Sequence, residues 1–163
     1  MVHDGLVNET DIRELLRKDH ETALADLEAV RLESDARRAL RNLDRLRRSW
    51  VIHALAEETV VYRAIEGAEG VRGSKSNADE RFIEHELVEG LFEKLTRSRP
   101  GSLEWTARLN VARELIARHI ESEHEEMFAR LARSFDATGL AEIGHRFSLA
   151  REKLQMLEEA KAA

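Results

Sequence analysis

The chain contains no cysteine. That excludes a disulfide framework, a zinc–thiolate site and a cysteine nucleophile. Any bound metal must be held by His, Asp and Glu, a donor set that suits iron, manganese, zinc or copper. Proline occurs once, at Pro100, and the 8 glycines are scarce and cluster between periodic segments. Strand-favouring aromatics are few (5%), and no run approaches the 18 apolar residues of a membrane-spanning helix. The stretch from Met1 to Asn8 lacks the basic start and apolar run of a signal peptide. The cytoplasm is the expected compartment, with no membrane association. A formal net charge of −6 gives no reason to expect nucleic acid as a partner.

Ala, Leu, Glu and Arg fill the chain, and all four favour helix. Hydrophobic residues make up 42% and charged residues 36% of 163 positions, the balance of an amphipathic globular protein. The length fits one domain, residues 1–163. Apolar periodicity and capping signals predict five helices. The first runs from about Glu9 to Arg31 behind a cap within Asn8–Asp11. The second opens at Ser34 and persists to about Glu66, stopped by a loop holding Gly67, Gly70 and Gly73. Asn77 and Glu80 form a capping box for a third, ending near Arg97. Pro100 and Gly101 mark a turn, Ser102 caps a fourth reaching about Arg133, and Thr138–Gly139 begin a shorter fifth over about 139–161. The expected fold is all-α: an up-down-up-down four-helix bundle over about 9–133, with the additional C-terminal helix on its outside or end. Gly90, inside the third helix, is expected to serve packing.

Four of the seven histidines are spaced alike. His20 and His53 lie 33 residues apart, His85 and His119 lie 34 apart, and each long helix carries one. The second helix reads His53-x-x-x-Glu57-x-x-x-x-Tyr62, and the fourth reads His119-x-x-x-Glu123-x-x-x-x-Phe128, a repeat at 66 residues. An i+4 pair shares one helix face. That face is the apolar one: Leu46, Trp50, Ala56, Val60 and Ala64 accompany His53, and Ala112, Leu115, Ile116 and Met127 accompany His119. His85 lies in line with Ala78, Phe82, Val88 and Phe92, and His20 with Leu16, Ala23, Leu24 and Leu27. Carboxylates aimed into an apolar core are costly without a partner. A pair of cations about 3.5–4 Å apart answers the cost for Glu57, Glu123 and four imidazoles together. The candidate metal ligands are therefore His20, His53, Glu57, His85, His119 and Glu123. His3, His124 and His145 are read as bland, and Glu58 and Glu84 as solvated helix face, with orientation of the neighbouring imidazoles as the alternative.

These motifs, with Asp19-His20, His53-x-x-x-Glu57-Glu58, Glu84-His85 and His119-Ile120-x-x-Glu123 leading to Met127-Phe128, resemble the hemerythrin-like family of HHE cation-binding domains. The resemblance covers about residues 10–132. It implies two iron ions in a non-haem di-iron centre, oxo- or hydroxo-bridged, within a four-helix bundle. It further implies His20 and His53 on one iron, His85 and His119 on the other, and Glu57 and Glu123 bridging. Oxygen-carrying members have a further His one turn before the third-helix ligand. Here that position is Arg81, and the position one turn after His85 is Glu89. The expectation is therefore a centre that binds or reacts with a small diatomic ligand or peroxide, with peroxide decomposition favoured over reversible oxygen carriage. An iron or redox sensor, an iron store and a metal-free interaction module are the alternatives. For the last, the basic stretch Arg37, Arg38, Arg41, Arg45, Arg47, Arg48 is read as a solvated face. A ferritin-like carboxylate site is disfavoured: the residues three before the four histidines are Arg17, Trp50, Phe82 and Ile116, none acidic.

Overall fold

A computed structural model describes residues 10–69 and 71–162, the side chains of 71–78 and 162 excepted. Helix α1 (Ile12–Leu32) starts where the Asp11 carboxylate accepts the Arg13 backbone N–H at 2.8 Å. The expected start at Glu9 lies outside the described residues, and the helix begins later than expected, after the non-helical Thr10 and Asp11. Helix α2 (Ala36–Ala56) is capped by Asp35, whose Oδ1 accepts the Arg38 N–H at 2.8 Å. Its rod continues through a π-helical segment (Glu57–Tyr62) into α3 (Arg63–Glu69). Helix α4 (Val71–Thr96) follows, then α5 (Leu103–Ser122), capped by Ser102 Oγ on the Trp105 N–H at 3.1 Å. A second π-helical segment (Glu123–Met127) leads into α6 (Phe128–Ser134), and α7 (Ala137–Ala162) closes the chain.

Three expectations need correction. Gly67 does not end its helix, which runs on to Glu69, and α4 begins at Val71, six residues before the expected cap at Asn77. Gly90 does not serve a close contact, since a Cβ there would meet nothing within 4 Å. The helix needing a glycine is α7: a Cβ on Gly144 would strike the Thr10 carbonyl and lie 3.2 Å from the Ile12 nitrogen. The C-terminal helix is also not short. At 26 residues it equals α4, and it lies along α1, α2 and the first π segment.

α1 packs on α2 and α5, and α4 packs on the same two, closing a four-rod ring. The core inside it comes in two parts. One gathers Leu27, Leu43, Leu46, Trp50, Phe92, Trp105 and Ile116; the other gathers Ile12, Leu16, Val60, Tyr62, Met127, Phe128 and Phe147. Burial of these side chains stabilises the fold by roughly 1.5–3 kcal/mol each. Between the parts, every rod places its histidine, so one polar layer interrupts an otherwise apolar interior. The basic stretch on α2 is largely exposed and pairs locally, Arg45 with Asp26 at 2.9 Å and Arg38 with Glu33 at 3.2 Å, as a solvated face should. Among the described residues no helix is long and apolar enough to cross a membrane.

Candidate metal centre

All six predicted residues are buried: His20, His53, His85 and His119 are at most 5% exposed, and Glu57 and Glu123 are fully buried. Their inward atoms converge. His20 Nε2 lies 3.2 Å from Glu123 Oε2, His119 Nε2 lies 3.5 Å from Glu123 Oε1, and His85 Nε2 lies 3.5 Å from Glu57 Oε2. His53 Nε2 is 3.8 Å from the same Glu57 oxygen, and His85 and His119 face each other Nε2 to Nε2 at 3.3 Å. Two sets have donor atoms all within 4.8 Å of one another: His53, Glu57, His85 and His119, and His20, His119 and Glu123. They overlap at His119, and they divide the histidines differently from the pairing the family resemblance implies. Trp50 floors the layer, its ring centroid 5.6–5.8 Å from those of His53, His85 and His119.

The fit to a cation rests on what these atoms lack. His20 Nε2, His53 Nε2, Glu57 Oε1 and Glu123 Oε2 are buried without a hydrogen-bond partner. Such atoms are rare in folded proteins because each costs roughly 1–3 kcal/mol. Electrostatics agree. Burial would lower the pKa of His85, but hydrogen bonds to Glu57 and Glu58 raise it to about 9. Burial likewise opposes charge on His20, yet Glu123 raises its pKa. Burial would also raise Glu123, and the charges of His119, His20 and Arg81 hold it well below the usual carboxylate range instead. Protons on imidazole thus stand where cations would do the same work.

The outer ring nitrogens are all engaged. His53 Nδ1 lies 3.3 Å from Asp19, His85 Nδ1 lies 2.8 Å from Glu58, His119 Nδ1 lies 3.1 Å from Glu84, and His20 Nδ1 lies 3.2 Å from His124 Nε2. Each contact crosses to the neighbouring rod, so the four run once round the ring. A proton on Nδ1 leaves the Nε2 lone pair facing inward, the tautomer ligation requires. Glu58 and Glu84 are therefore not solvated face, and His124 is not bland. A residue adjacent to a ligand is turned about 100° from it. In a bundle that rotation leads to the next helix rather than to water. The sequence does carry a signal: Asp19 and Glu84 immediately precede a histidine, and Glu58 and His124 immediately follow a glutamate, in both halves.

Tyr62 was visible only as a repeat position. In a regular α-helix a residue five on from Glu57 points elsewhere. The π segment widens the turn, and Tyr62 comes back over Glu57. Its hydroxyl lies 3.0 Å from Glu57 Oε2 and 3.1 Å from Glu123 Oε1, sharing one proton between two carboxylates. Burial first, then the charges of Glu57 and Glu123, push its pKa well above the ordinary phenol value. Helix α7 reaches the ring as well: Arg151 Nη1 is 2.9 Å from Asp19 Oδ1, and the Phe147 ring is 6.4 Å from that of His53.

Searches of curated proteins and of solved structures gave no match. The family comparison is positive: the hemerythrin HHE cation-binding domain matches residues 11–131, from the cap of α1 into α6. With an all-α bundle and a buried His/Glu layer within the matched span, the chain belongs to the hemerythrin HHE cation-binding domain family.

Proposed function

We propose that the chain holds two iron ions with His20, His53, His85, His119, Glu57 and Glu123 as protein ligands, and that this centre decomposes peroxide. One observation carries the reading: six buried donors, four with inward atoms lacking any hydrogen-bond partner, lie at one level of the bundle. Mixed imidazole and carboxylate donors without thiolate suit iron. Bound iron would supply one-electron redox chemistry and coordination positions not filled by protein.

The chain's own residues set the conditions for that chemistry. Asp19, Glu58, Glu84 and His124 hold the imidazoles with Nε2 inward. The two carboxylates are restrained by the Tyr62 hydroxyl, which is also the nearest protein proton to both. Trp50 below, with Leu16, Val60 and Met127, excludes bulk water and large substrates. Peroxide, oxygen and nitric oxide are small enough to enter. Six protein ligands for two ions leave room for such a ligand, and no histidine at Arg81 or Glu89 closes it. Conversion of two peroxides into two waters and one oxygen needs no further substrate.

Protein produced with ample iron should carry close to two irons per chain and consume peroxide faster than the same concentration of free iron. One tightly held zinc and no iron would sink the metal assignment. Two irons with no peroxide consumption, together with an oxygen spectrum that forms and reverses fully, would make oxygen binding the function.

A further inference from the structure

Arg81 stands out among the residues around the centre. It lies one helical turn before His85, its side chain is 8% exposed, and its Nη1 has no hydrogen-bond partner. Glu123 Oε1 is 3.7 Å away, and Glu126 Oε2 is 3.7 Å from Nη2. Both separations are too long for hydrogen bonds. A buried guanidinium with a nitrogen unpaired is expensive, since that N–H has left water and the charge has gained only the longer-range attraction of Glu123 and Glu126 in exchange. Glu123 Oε1 instead accepts from the Tyr62 hydroxyl at 3.1 Å.

The bundle's internal repeat shows that this charge is not required to build the metal layer. His20 and His85 correspond at an offset of 65 residues, and at the same offset the counterpart of Arg81 is Leu16, fully buried in apolar contact. Tyr62 has Phe128 as its counterpart. At these two repeat positions Leu16 and Phe128 offer no hydrogen-bond donor, whereas Arg81 and Tyr62 offer two, both facing Glu123 Oε1. A groove of about 470 Å3 between α4 and the α5 rod is lined by Arg81 and Arg118 with Glu80, Glu84, Glu126 and Ser122.

Resting on the metal reading above, we propose that Arg81 makes this centre a receptor for small planar anions of the carboxylate or nitrite kind. Cations in the histidine layer direct the charge of Glu123 toward themselves. The guanidinium is then beside a cationic centre, and an anion satisfies both at once. Its planar fork suits two-oxygen anions, which take two parallel N–H bonds where a neutral diatomic takes none.

The test compares iron-loaded wild type, Arg81→Gln and Arg81→Lys. Formate and nitrite are titrated into the oxidised protein, followed by calorimetry and by the optical spectrum, and nitric oxide is titrated into the reduced protein as the neutral control. Arg81→Gln should bind both anions at least ~10-fold more weakly, the loss expected for one charge-assisted hydrogen bond. Arg81→Lys keeps the charge and loses the fork, so it should fall between, ~3-fold or more below wild type. Nitric oxide affinity should stay within ~2-fold in both, because a neutral ligand gains little from the charge. Formate affinity equal to wild type in either variant that carries its iron overturns the proposal. So does wild type that holds two irons but binds neither anion at tens of millimolar. Wild type without iron is a different failure, that of the metal reading itself.

Discussion

The two halves of the bundle carry the same skeleton and finish it differently. Each half donates a histidine from its first rod and His-x-x-x-Glu from its second, and each second rod opens into a π segment at the glutamate itself. The wide turn is visible in the second half, where the Phe128 N–H bonds to the Glu123 carbonyl five residues back. What is shared is thus what could hold cations. What differs surrounds it: Leu16 against Arg81, Tyr62 against Phe128, Glu58 against His124. Repetition supplies a symmetric set of candidate ligands, and three differences make the surroundings of the two halves unequal.

Breaking what is shared should cost most. Glu57→Ala and Glu123→Ala should each abolish most iron binding and lower Tm in iron-loaded preparations, because bound metal stabilises the fold by mass action. Elemental analysis and thermal melts read both. Glu125, exposed and outside the layer, is the control, and Glu125→Ala should keep its iron. Iron retained in both glutamate variants would show that the shared skeleton is not the metal site.

The metal-free protein should depend on pH through His85. Its pKa is raised from 6.5 to about 9 in the fold, so the stability it contributes is fully present below 6.5 and lost as pH rises through 9. The loss is on the order of 3 kcal/mol. Iron uptake must displace these protons, so loading near pH 7 should release acid and tighten toward pH 9. Denaturation midpoints of metal-free protein that stay flat from pH 6.5 to 9.5 would contradict this.

Next in size is the contrast between Glu58 and His124, the residues that follow the two glutamates. Sequence alone makes Glu58→Ala mild; the 2.8 Å contact to His85 Nδ1 changes that. Removing a carboxylate that orients a ligating imidazole typically lowers metal affinity about 10–100-fold. His124→Ala should cost less, because a neutral ring polarises His20 less than a carboxylate would. Competition with a chelator measures both, and equal losses would mean the ring of contacts orients imidazoles without tuning them.

Tyr62→Phe makes the first half resemble the second. It leaves Glu57 and Glu123 without their shared donor, a loss of roughly 1–3 kcal/mol in the metal-free protein, with iron content kept. A variant that loses iron outright would place the phenol among the ligands. The smallest effect expected is that of Arg151→Ala. Its partner Asp19 is largely buried, but Arg151 itself is 40% exposed, so about 1 kcal/mol or less should be lost, with His53 still ligating.

The sequence by itself determined the all-helical fold and the level at which six buried His and Glu side chains meet inside it. Apolar periodicity and i+4 spacing are local geometry, and a buried carboxylate announces a partner wherever it occurs. The cap at Ser102 was legible for the same reason, since the bond it makes lies within three residues. Three kinds of information were not local. The π turns follow no rule of composition, so Tyr62 could be seen to repeat but not to bond. The direction of a residue beside a ligand depends on whether water or another helix occupies that angle, so Glu58, Glu84 and His124 were misread. Helix α7 lies beyond the matched domain, and only packing could show it pressed to Thr10 through Gly144 and bonded to Asp19 through Arg151. Arg81 combines both: its place in the repeat is written in the chain, but its burial without a hydrogen bond at Nη1 exists only after four helices have closed around it.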